Sequence, residues 1–231
     1  MKIILSNITK TFSHYSGKTQ VLNEINYLFD AGKIYAICGK SGIGKTTLLN
    51  IIGLLDQQSD GDVFYDKTNI HKIPNRNQAK FRSKNIGFIF QGYQLLDNMT
   101  CLKNVQIPLW TNSTIKQKDV TTISIHWLRK LGLEKRLDHY PTTLSGGEQQ
   151  RTAIARALVN NPKVILADEP TGNVDEESEQ IILDIFRTLA DQGKTVIIVT
   201  HSKTVKDFAD IALKLEEGKL IVDENESKIS I

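Results

Sequence analysis

Short runs of β-branched and aliphatic residues recur along the chain and predict the buried strands of an α/β protein. Because helices cover both faces of a parallel sheet, its strands are apolar over several consecutive positions and do not alternate. The stretches between these runs are typical of helices, and this alternation of strands and helices predicts an α/β fold with a mostly parallel sheet. The predicted strands are 34–38, 85–90, 163–168, 195–200 and 210–216.

Two regions of the chain depart from this alternation. Residues 1–30 alternate apolar and polar positions, which favours an antiparallel flank to the sheet. The stretch from about 95 to 160 contains no strand-like run and several helical segments. We interpret it as a helical insertion, at about residues 92–160, within a single domain that covers residues 1–231.

Composition and charge exclude several classes of function. Hydrophobic residues make up 40% of the chain and charged residues 24%, which is typical of an ordered globular protein. The apolar runs are far shorter than the roughly 18 residues that cross a bilayer, and two cysteines cannot form a disulfide framework. The opening residues lack the cleavage site of a signal peptide, so we expect a cytoplasmic protein. A net charge of +3 is too small to indicate a nucleic-acid partner.

A glycine-rich segment follows the first predicted parallel strand and has the spacing of a phosphate-binding loop. The sequence GKSGIGKTT fits the pattern Gly, four residues, Gly, Lys, then Ser or Thr. Glycines let backbone N–H groups point at an anion, and the helix that follows adds its dipole. Lys45 offers a positive charge to the outer phosphates, and Thr46 offers a hydroxyl to Mg²⁺. The loop residues are Gly39, Lys40, Ser41, Gly42, Ile43, Gly44, Lys45, Thr46 and Thr47.

Two acidic residues, Asp168 and Glu169, end another predicted strand. One of them can hold Mg²⁺, usually through water, while the other orients or deprotonates a water molecule. Because successive side chains in a strand point to opposite faces, we expect the two carboxylates to do different jobs. An acidic pair at a strand end is often only solvent-facing, but together with a phosphate loop it indicates catalysis.

The segment LSGGEQQR predicts a second helix N-terminus that can bind an anion. Ser145 and Glu148 form a capping box, which by itself indicates only a well-capped helix. Gly146 and Gly147 nevertheless each lower the stability of a helix by about 1 kcal/mol relative to Ala. An anion that approaches the backbone there would account for them. A single nucleotide would then need the two anion sites to face each other.

Polar residues also follow two further strands of the predicted sheet. Gln91 closes the second strand and His201 the fourth. In an open parallel sheet, ligands bind outside the carboxyl ends of the strands. The phosphate loop, Gln91, the acidic pair and His201 would therefore meet at one edge, which predicts a single active site.

The order of these motifs resembles the nucleotide-binding subunit of ATP-binding cassette (ABC) transporters. The similarity extends from about Ile3 to about Leu220 and includes the motif GNVD, which ends at Asp175. It implies the fold of a P-loop NTPase, ATP and Mg²⁺ as ligands, and two subunits stacked head to tail, each lending its LSGGE to the nucleotide on the other's loop. It also implies a separate integral-membrane permease, which the helical insertion contacts near the Gln91 segment, and a position on the inner face of the cell membrane.

The resemblance also implies a role for each residue near the phosphate loop. Lys45 would bind the β- and γ-phosphates. Thr46 and Gln91 would ligate Mg²⁺, and Asp168 would hold that ion through water. Glu169 would polarise the attacking water.

The remaining roles that the resemblance implies concern the γ-phosphate, the dimer partner and adenine. His201 would contact the γ-phosphate, and Asp175 would lie where the family couples its two sites. Phe12, in TKTF, would stack on adenine, with Tyr15 as a second candidate and a core Phe as the structural alternative. Such stacking contributes ~1–3 kcal/mol per base in single-strand binders. The residues expected to reach the partner's nucleotide are Ser145, Gly146, Gly147 and Glu148.

Details of the motifs are similar to the branch of the family that releases lipoproteins or exports peptides and macrolides. These details are GFIFQGYQLL, LSGGEQQR and ADEPTGNVD. Ile43 and Thr46 stand where many members have Ser, yet all the acid–base residues are present. We expect an ATPase that drives a permease in export or extraction. The alternative is a membrane-complex regulator of the cell-division type. Members of the family that act on ribosomes or DNA usually contain two cassettes or a long coiled-coil insertion, and this chain has neither.

Overall fold

The computed structural model describes residues 1–14, 17–172 and 174–223, which form two sheets and seven α-helices. None of the helices within these ranges has the length and apolar character needed to cross a membrane. The strands are β1 (Ile3–His14), β2 (Gly17–Phe29), β3 (Ile34–Cys38), β4 (Asp60–Tyr65), β5 (Thr68–Asn69), β6 (Ile86–Ile89), β7 (Val164–Asp168), β8 (Thr195–Val199), β9 (Ile211–Glu216) and β10 (Lys219–Val222). The helices are α1 (Lys45–Ile52), α2 (Asn75–Asn85), α3 (Cys101–Trp110), α4 (Gln117–Lys130), α5 (Gly146–Leu158), α6 (Glu176–Asp191) and α7 (Lys203–Phe208).

The five predicted buried strands are all present and lie in one sheet. They correspond to β3, β6, β7, β8 and β9, and each prediction agrees with the structure to within one residue at either end. The order across this sheet is β10-β9-β3-β8-β7-β6, with parallel pairing throughout except at β10, which pairs with β9 in antiparallel fashion. The predicted α/β class with a mostly parallel sheet is therefore confirmed.

Strand β8 shows why these runs are continuously apolar. Val196 and Ile198 belong to a hydrophobic cluster that includes residues of α3, α4, α5 and α6. Ile197 and Val199 belong to a second cluster, which includes residues of α1 and of the antiparallel sheet. Because both faces of the strand are buried, every position must be apolar, and no alternation is left in the sequence.

The predicted antiparallel flank is also confirmed, and it is larger than expected. Strands β1 and β2 pair with each other, and the sheet continues through β4 and β5 in the order β2-β1-β4-β5. The sequence DGDVFY of β4 begins with residues that are depleted in strands, so the pattern did not reveal it. Gly61 has φ of 90°, and a Cβ there would lie 2.4 Å from Asn7 O. Glycine is therefore required at this irregularity in the pairing of β4 with β1.

Residues 95–160 contain helices and no strand, as predicted. Helices α3, α4 and α5 pack on one another, and α5 also packs along β6. The cluster that they share includes Val105, Leu128 and Leu158 together with Ile165 of β7. The helical region therefore shares a hydrophobic core with the parallel sheet, and α5 connects the two.

Candidate active site

The carboxyl ends of the parallel strands bring the predicted site residues to one cavity, as their common direction requires. The cavity has a volume of about 240 Å³. Its walls come from the loop after β3, the start of α1, and residues at or just after the carboxyl ends of β6, β7 and β8. The lining residues are Ser41, Gly42, Gly44, Lys45, Thr46, Thr47, Gln91, Asp168, Glu169, Val199 and His201.

The loop between β3 and α1 depends on its glycines. Gly42 and Gly44 have φ angles of 75° and 110°, in the region that residues with a Cβ rarely adopt. A Cβ on Gly39 would lie 2.7 Å from Leu215 O. Gly44 is also the N-cap of α1 and provides no side-chain cap. Because the first N–H groups of a helix lack intrahelical acceptors, those of α1 remain available to an anion in the cavity.

The ammonium group of Lys45 is held inside this loop. It donates to Gly39 O at 2.8 Å and to Lys40 O at 3.0 Å, and Nζ lies 3.2 Å from His201 Nε2. Lys45 is 6% exposed. An ammonium group has three donors, so Lys45 can hold both loop carbonyls at once. Its positive charge lies at the wall of the cavity. A phosphate entering the cavity meets that charge.

Oxygen atoms suited to Mg²⁺ lie next to the loop. Thr46 Oγ1 donates to Asp168 Oδ2 at 2.8 Å, and Gln91 lines the same cavity. No group of three or more His, Cys, Asp or Glu that could hold a metal occurs in the described part of the chain. Mg²⁺ commonly binds through one or two carboxylates together with substrate phosphates, and it retains several waters. The hydroxyl, carboxylate and amide oxygens present therefore fit a magnesium ion that is shared with a nucleotide.

Glu169 lies one residue beyond the end of β7, and the backbone turns at this point. Its φ angle is 46°, in the left-handed region. The expectation that Asp168 and Glu169 are consecutive strand residues on opposite faces is therefore wrong. The turn brings both residues to the wall of the same cavity.

The two carboxylate oxygens of Glu169 have different surroundings. Oε2 accepts hydrogen bonds from Thr200 Oγ1 at 3.3 Å and from His201 N at 3.2 Å. Oε1 is buried without a hydrogen-bond partner, and His201 Nε2 lies 3.6 Å from it, too far for a hydrogen bond. One oxygen is thus anchored while the other has no hydrogen-bond partner, as a general base requires. Sequence reasoning missed Thr200, although its place between β8 and His201 was a usable signal.

The predicted capping box at the start of α5 is confirmed. Ser145 Oγ accepts from Glu148 N at 3.3 Å, and Glu148 Oε2 accepts from Ser145 N at 2.9 Å. Arg136 Nε also donates to Glu148 Oε1 at 2.6 Å. Partial burial alone would raise the pKa of Glu148, but the hydrogen bonds from Arg136 and Ser145 outweigh it and hold that pKa below its ordinary value. Glu148 therefore serves the helix terminus as an ionised cap.

The segment 145–148 lies outside the cavity of its own chain, since none of the described lining residues comes from it. Gly147 instead packs against the start of α6. A Cβ at Gly147 would lie 2.8 Å from Ser178 Oγ and 3.1 Å from Asp175 Oδ2. Asp175 caps α6 by accepting from Ser178 N at 2.8 Å, and Arg151 donates to Ser178 Oγ. Close packing within the chain is thus a reason for Gly147 that the sequence analysis missed.

We expect Gly147→Ala to lower stability by about 1 kcal/mol. Alanine in place of glycine favours a helix by about 1 kcal/mol, but overpacking costs about 1–3 kcal/mol, and the contact with Ser178 makes the second effect larger. The urea midpoint of the variant measures the difference. The double variant Gly147→Ala/Ser178→Ala is the control, because it removes the crowded oxygen and restores the midpoint toward that of Ser178→Ala. A rise in midpoint for Gly147→Ala alone would contradict the packing argument.

Phe12 lies on β1 and does not line the cavity. Its side chain is partly exposed, which argues against the alternative of a core Phe. Lys10 Nζ lies 4.9 Å from the centroid of the ring and is held by Asp56 Oδ1 at 2.8 Å. Tyr15, the second candidate, lies outside the described residues. The assignment of Phe12 to adenine stacking stays a prediction.

Comparison with known proteins places this geometry in a family. The family model of the ABC transporter matches residues 22–172. The ABC transporter ATP-binding protein YvrO of Bacillus subtilis is 42% identical over 96% of each chain, and the lipoprotein-releasing system ATP-binding protein LolD of Treponema denticola is 36% identical over 94% of this chain and 96% of its own. The macrolide export ATP-binding/permease protein MacB of Pasteurella multocida is 41% identical over 96% of this chain, which spans about a third (34%) of the length of that relative.

Solved structures agree with these relatives. The dimeric structure of MJ0796, a bacterial ABC transporter cassette, has a TM-score of 0.89 and 37% identity and covers 94% of this chain and 96% of its own. A second dimeric structure of the same cassette, bound to ADP and Pi in a post-hydrolysis state, has the same TM-score and 36% identity. By its sequence, its fold and the residues assembled in its cavity, the chain belongs to the ABC transporter family and is one of its ATP-hydrolysing, ATP-binding cassettes.

Proposed function

We propose that the chain hydrolyses ATP in a head-to-tail dimer with a second copy of itself and thereby drives a separate membrane permease. The division of the site carries this proposal: the cavity contains the phosphate-binding and acid–base residues, while the segment 145–148 lies outside it. A nucleotide in the cavity needs a second copy to present Ser145, Gly146, Gly147 and Glu148 to it. The dimeric structures of the 37% identical MJ0796 cassette support this arrangement. Asp175, which packs against Gly147, lies where it can link the two sites.

Hydrolysis proceeds in this proposal by in-line attack of water on the γ-phosphate. Lys45 and the N–H groups at the start of α1 bind the β- and γ-phosphates. Glu169 takes the proton of the attacking water on Oε1, its oxygen without a hydrogen-bond partner. His201, whose backbone N–H also anchors Glu169, contacts the γ-phosphate. Positioning and charge stabilisation then supply most of the rate enhancement.

Thr46, Gln91 and Asp168 would hold Mg²⁺ in this site. When bound, the ion would neutralise negative charge on the phosphates of the nucleotide. The hydrogen bond from Thr46 to Asp168 keeps two of these oxygen ligands together before a nucleotide arrives. Gln91, two residues after the end of β6, lines the same cavity.

A second cavity is where we propose that the permease docks. It measures about 450 Å³ and lies among α2, β6, α3 and α5. Apolar side chains such as Leu55, Phe88 and Ile107 line it, together with Arg82 and Arg156. An amphipathic helix lays its apolar face in such a groove. A cytoplasmic helix of a permease would fit there and would hold the cassette at the inner face of the membrane.

The names of two relatives support a proposal for the cargo. LolD of Treponema denticola belongs to a lipoprotein-releasing system, and MacB of Pasteurella multocida is a macrolide export protein. We therefore propose export or extraction of a peptide, lipoprotein or drug-like molecule. Residues 1–231 would act as one cassette, in which the helical region at about 92–160 faces the permease.

We expect Glu169→Gln protein, purified gently from native membranes with ATP, to retain a permease partner. The variant keeps the nucleotide unhydrolysed, so the closed dimer and its partner stay together. Mass spectrometry of the co-purified proteins identifies that partner, and Lys45→Ala, which should not close the dimer, is the matched control. A permease with few transmembrane helices and a large extracellular domain would support export or extraction. A cell-division protein, a ribosome or no membrane partner would contradict the transport proposal.

A further inference from the structure

The chain segment after Gln91 has an unusual backbone conformation. Tyr93 and Gln94 have φ angles of 57° and 53°, so two consecutive residues with a Cβ lie in the left-handed region. Residues other than glycine usually adopt a left-handed conformation singly and not in succession. The conformation persists only where contacts with the surrounding structure stabilise it. Tyr93 N donates to Phe90 O at 3.3 Å and Gln94 N to Gly92 O at 2.5 Å, which makes the turn tight.

Arg156, near the end of α5, contacts this turn from outside the segment. Its guanidinium donates from Nη1 to Gln94 O, and from Nη2 to Tyr93 O at 2.7 Å. The planar fork of a guanidinium suits two neighbouring acceptors, which an ammonium cannot reproduce. The two contacts join residues that are 62 and 63 positions apart in the sequence.

A second restraint fixes the far end of the same segment. Asn104 is fully buried, and its side-chain amide accepts from Leu96 N at 2.8 Å and donates to Leu96 O at 3.1 Å. The chain is thus bound at residues 93, 94 and 96, while Gln91 extends into the catalytic cavity. A change at Arg156 would release the part of the segment nearest to Gln91 and leave the Leu96 anchor in place.

We infer that Arg156 is a positioning residue for Gln91: its two hydrogen bonds hold residues 93 and 94 in the turn that directs Gln91 into the catalytic cavity. The inference rests on the proposed role of Gln91 as a ligand of Mg²⁺. Arg156 also lines the 450 Å³ groove, so it contacts both the Gln91 segment and the space where a permease helix would lie. Arg82 lines the same groove but donates to Leu54 O at 3.1 Å, away from this segment.

The test compares Arg156→Gln, Arg156→Lys and the matched control Arg82→Gln in the full chain, using amide hydrogen exchange followed by mass spectrometry. We expect Arg156→Gln to speed exchange in the segment 92–96 at least tenfold, with exchange in α5 unchanged. Arg156→Lys keeps the charge without the fork, so it should show a smaller effect of the same kind, and it replaces Arg156→Gln if that variant does not fold. Arg82→Gln should leave the segment unchanged. Unchanged exchange in both Arg156 variants, or an equal effect in Arg82→Gln, would overturn the inference.

A second readout separates this inference from the proposed role of Gln91. We expect Arg156→Gln to raise the Mg²⁺ concentration for half-maximal ATP hydrolysis about tenfold. In a Gln91→Ala background, the same substitution should cause no further shift, because coupled residues are not additive. Additive shifts would overturn the inference. If Gln91→Ala itself leaves the Mg²⁺ dependence unchanged, the proposed role of Gln91 fails, and the exchange experiment still decides whether Arg156 fixes the segment.

Discussion

Glu169→Gln is expected to reduce the rate of ATP hydrolysis by about 10²–10⁴-fold, the range that a positioned general base contributes. The glutamine side chain has the same shape, and its carbonyl oxygen can still accept the hydrogen bonds from Thr200 and His201 that now go to Oε2. The amide NH₂ then takes the place of Oε1 and cannot accept a proton from water. The substitution therefore removes the base without emptying the site.

Two measurements distinguish this loss from a loss of binding. Phosphate release at saturating ATP and Mg²⁺ gives the rate. The dissociation constant of ATP should change by less than about threefold, which is a change in binding free energy of less than about 0.7 kcal/mol. Glu177→Gln is the matched control, because this exposed glutamate on α6 undergoes the same chemical change away from the cavity. A Glu169→Gln protein that keeps more than a tenth of the wild-type rate would exclude Glu169 as the general base.

The position of Glu169 illustrates how much of this site the sequence could reveal. The apolar runs identified the parallel strands because two-sided burial leaves each run continuous, as in Val196–Val199 of β8. Once the strands are parallel, their carboxyl ends share one edge, and the convergence of Gln91, Asp168 and His201 follows. The expectation that the strand continues from Asp168 to Glu169 was wrong, because Glu169 has a left-handed backbone conformation that its residue type does not predict.

The contacts that the sequence could not reveal join residues far apart in the chain. The hydrogen bonds from Arg156 to residues 93 and 94 depend on how α5 packs along β6, which local periodicity does not encode. The close approach of Gly147 to Ser178 likewise follows from the placement of α5 beside α6. Local patterns specify elements and their direction, whereas these restraints arise only when the helices dock.

Lys45→Ala is expected to weaken ATP binding by about 10- to 100-fold and to abolish measurable hydrolysis. Hydrogen bonds to charged groups contribute about 1.5–3 kcal/mol, and a tenfold change in affinity is about 1.4 kcal/mol. The variant also removes the donor to Gly39 O and Lys40 O, so the loop carbonyls lose their partner. Both effects act against a phosphate in the cavity.

Equilibrium titration with ATP and a phosphate-release assay measure these two losses. Lys203→Ala is the matched control: this exposed lysine lies two residues after His201, and its removal subtracts the same charge without touching the loop. If both variants bind ATP as tightly as the wild type, the phosphate-binding role of Lys45 is wrong. Thermal unfolding of Lys45→Ala should show whether the loop carbonyls, left without their donor, also lower stability.

Lys45→Arg separates the charge of this residue from its position. The guanidinium keeps the positive charge, but it is larger and planar, and Lys45 is only 6% exposed within a loop whose carbonyls accept at 2.8 and 3.0 Å. We expect this variant to retain more ATP affinity than Lys45→Ala and still to hydrolyse ATP at least about 100-fold more slowly than wild type, the loss typical when a single charge-stabilising donor is removed. Near-normal hydrolysis by Lys45→Arg would mean that charge alone suffices. Binding without hydrolysis would mean that the ammonium must occupy the point between Gly39 O, Lys40 O and His201 Nε2.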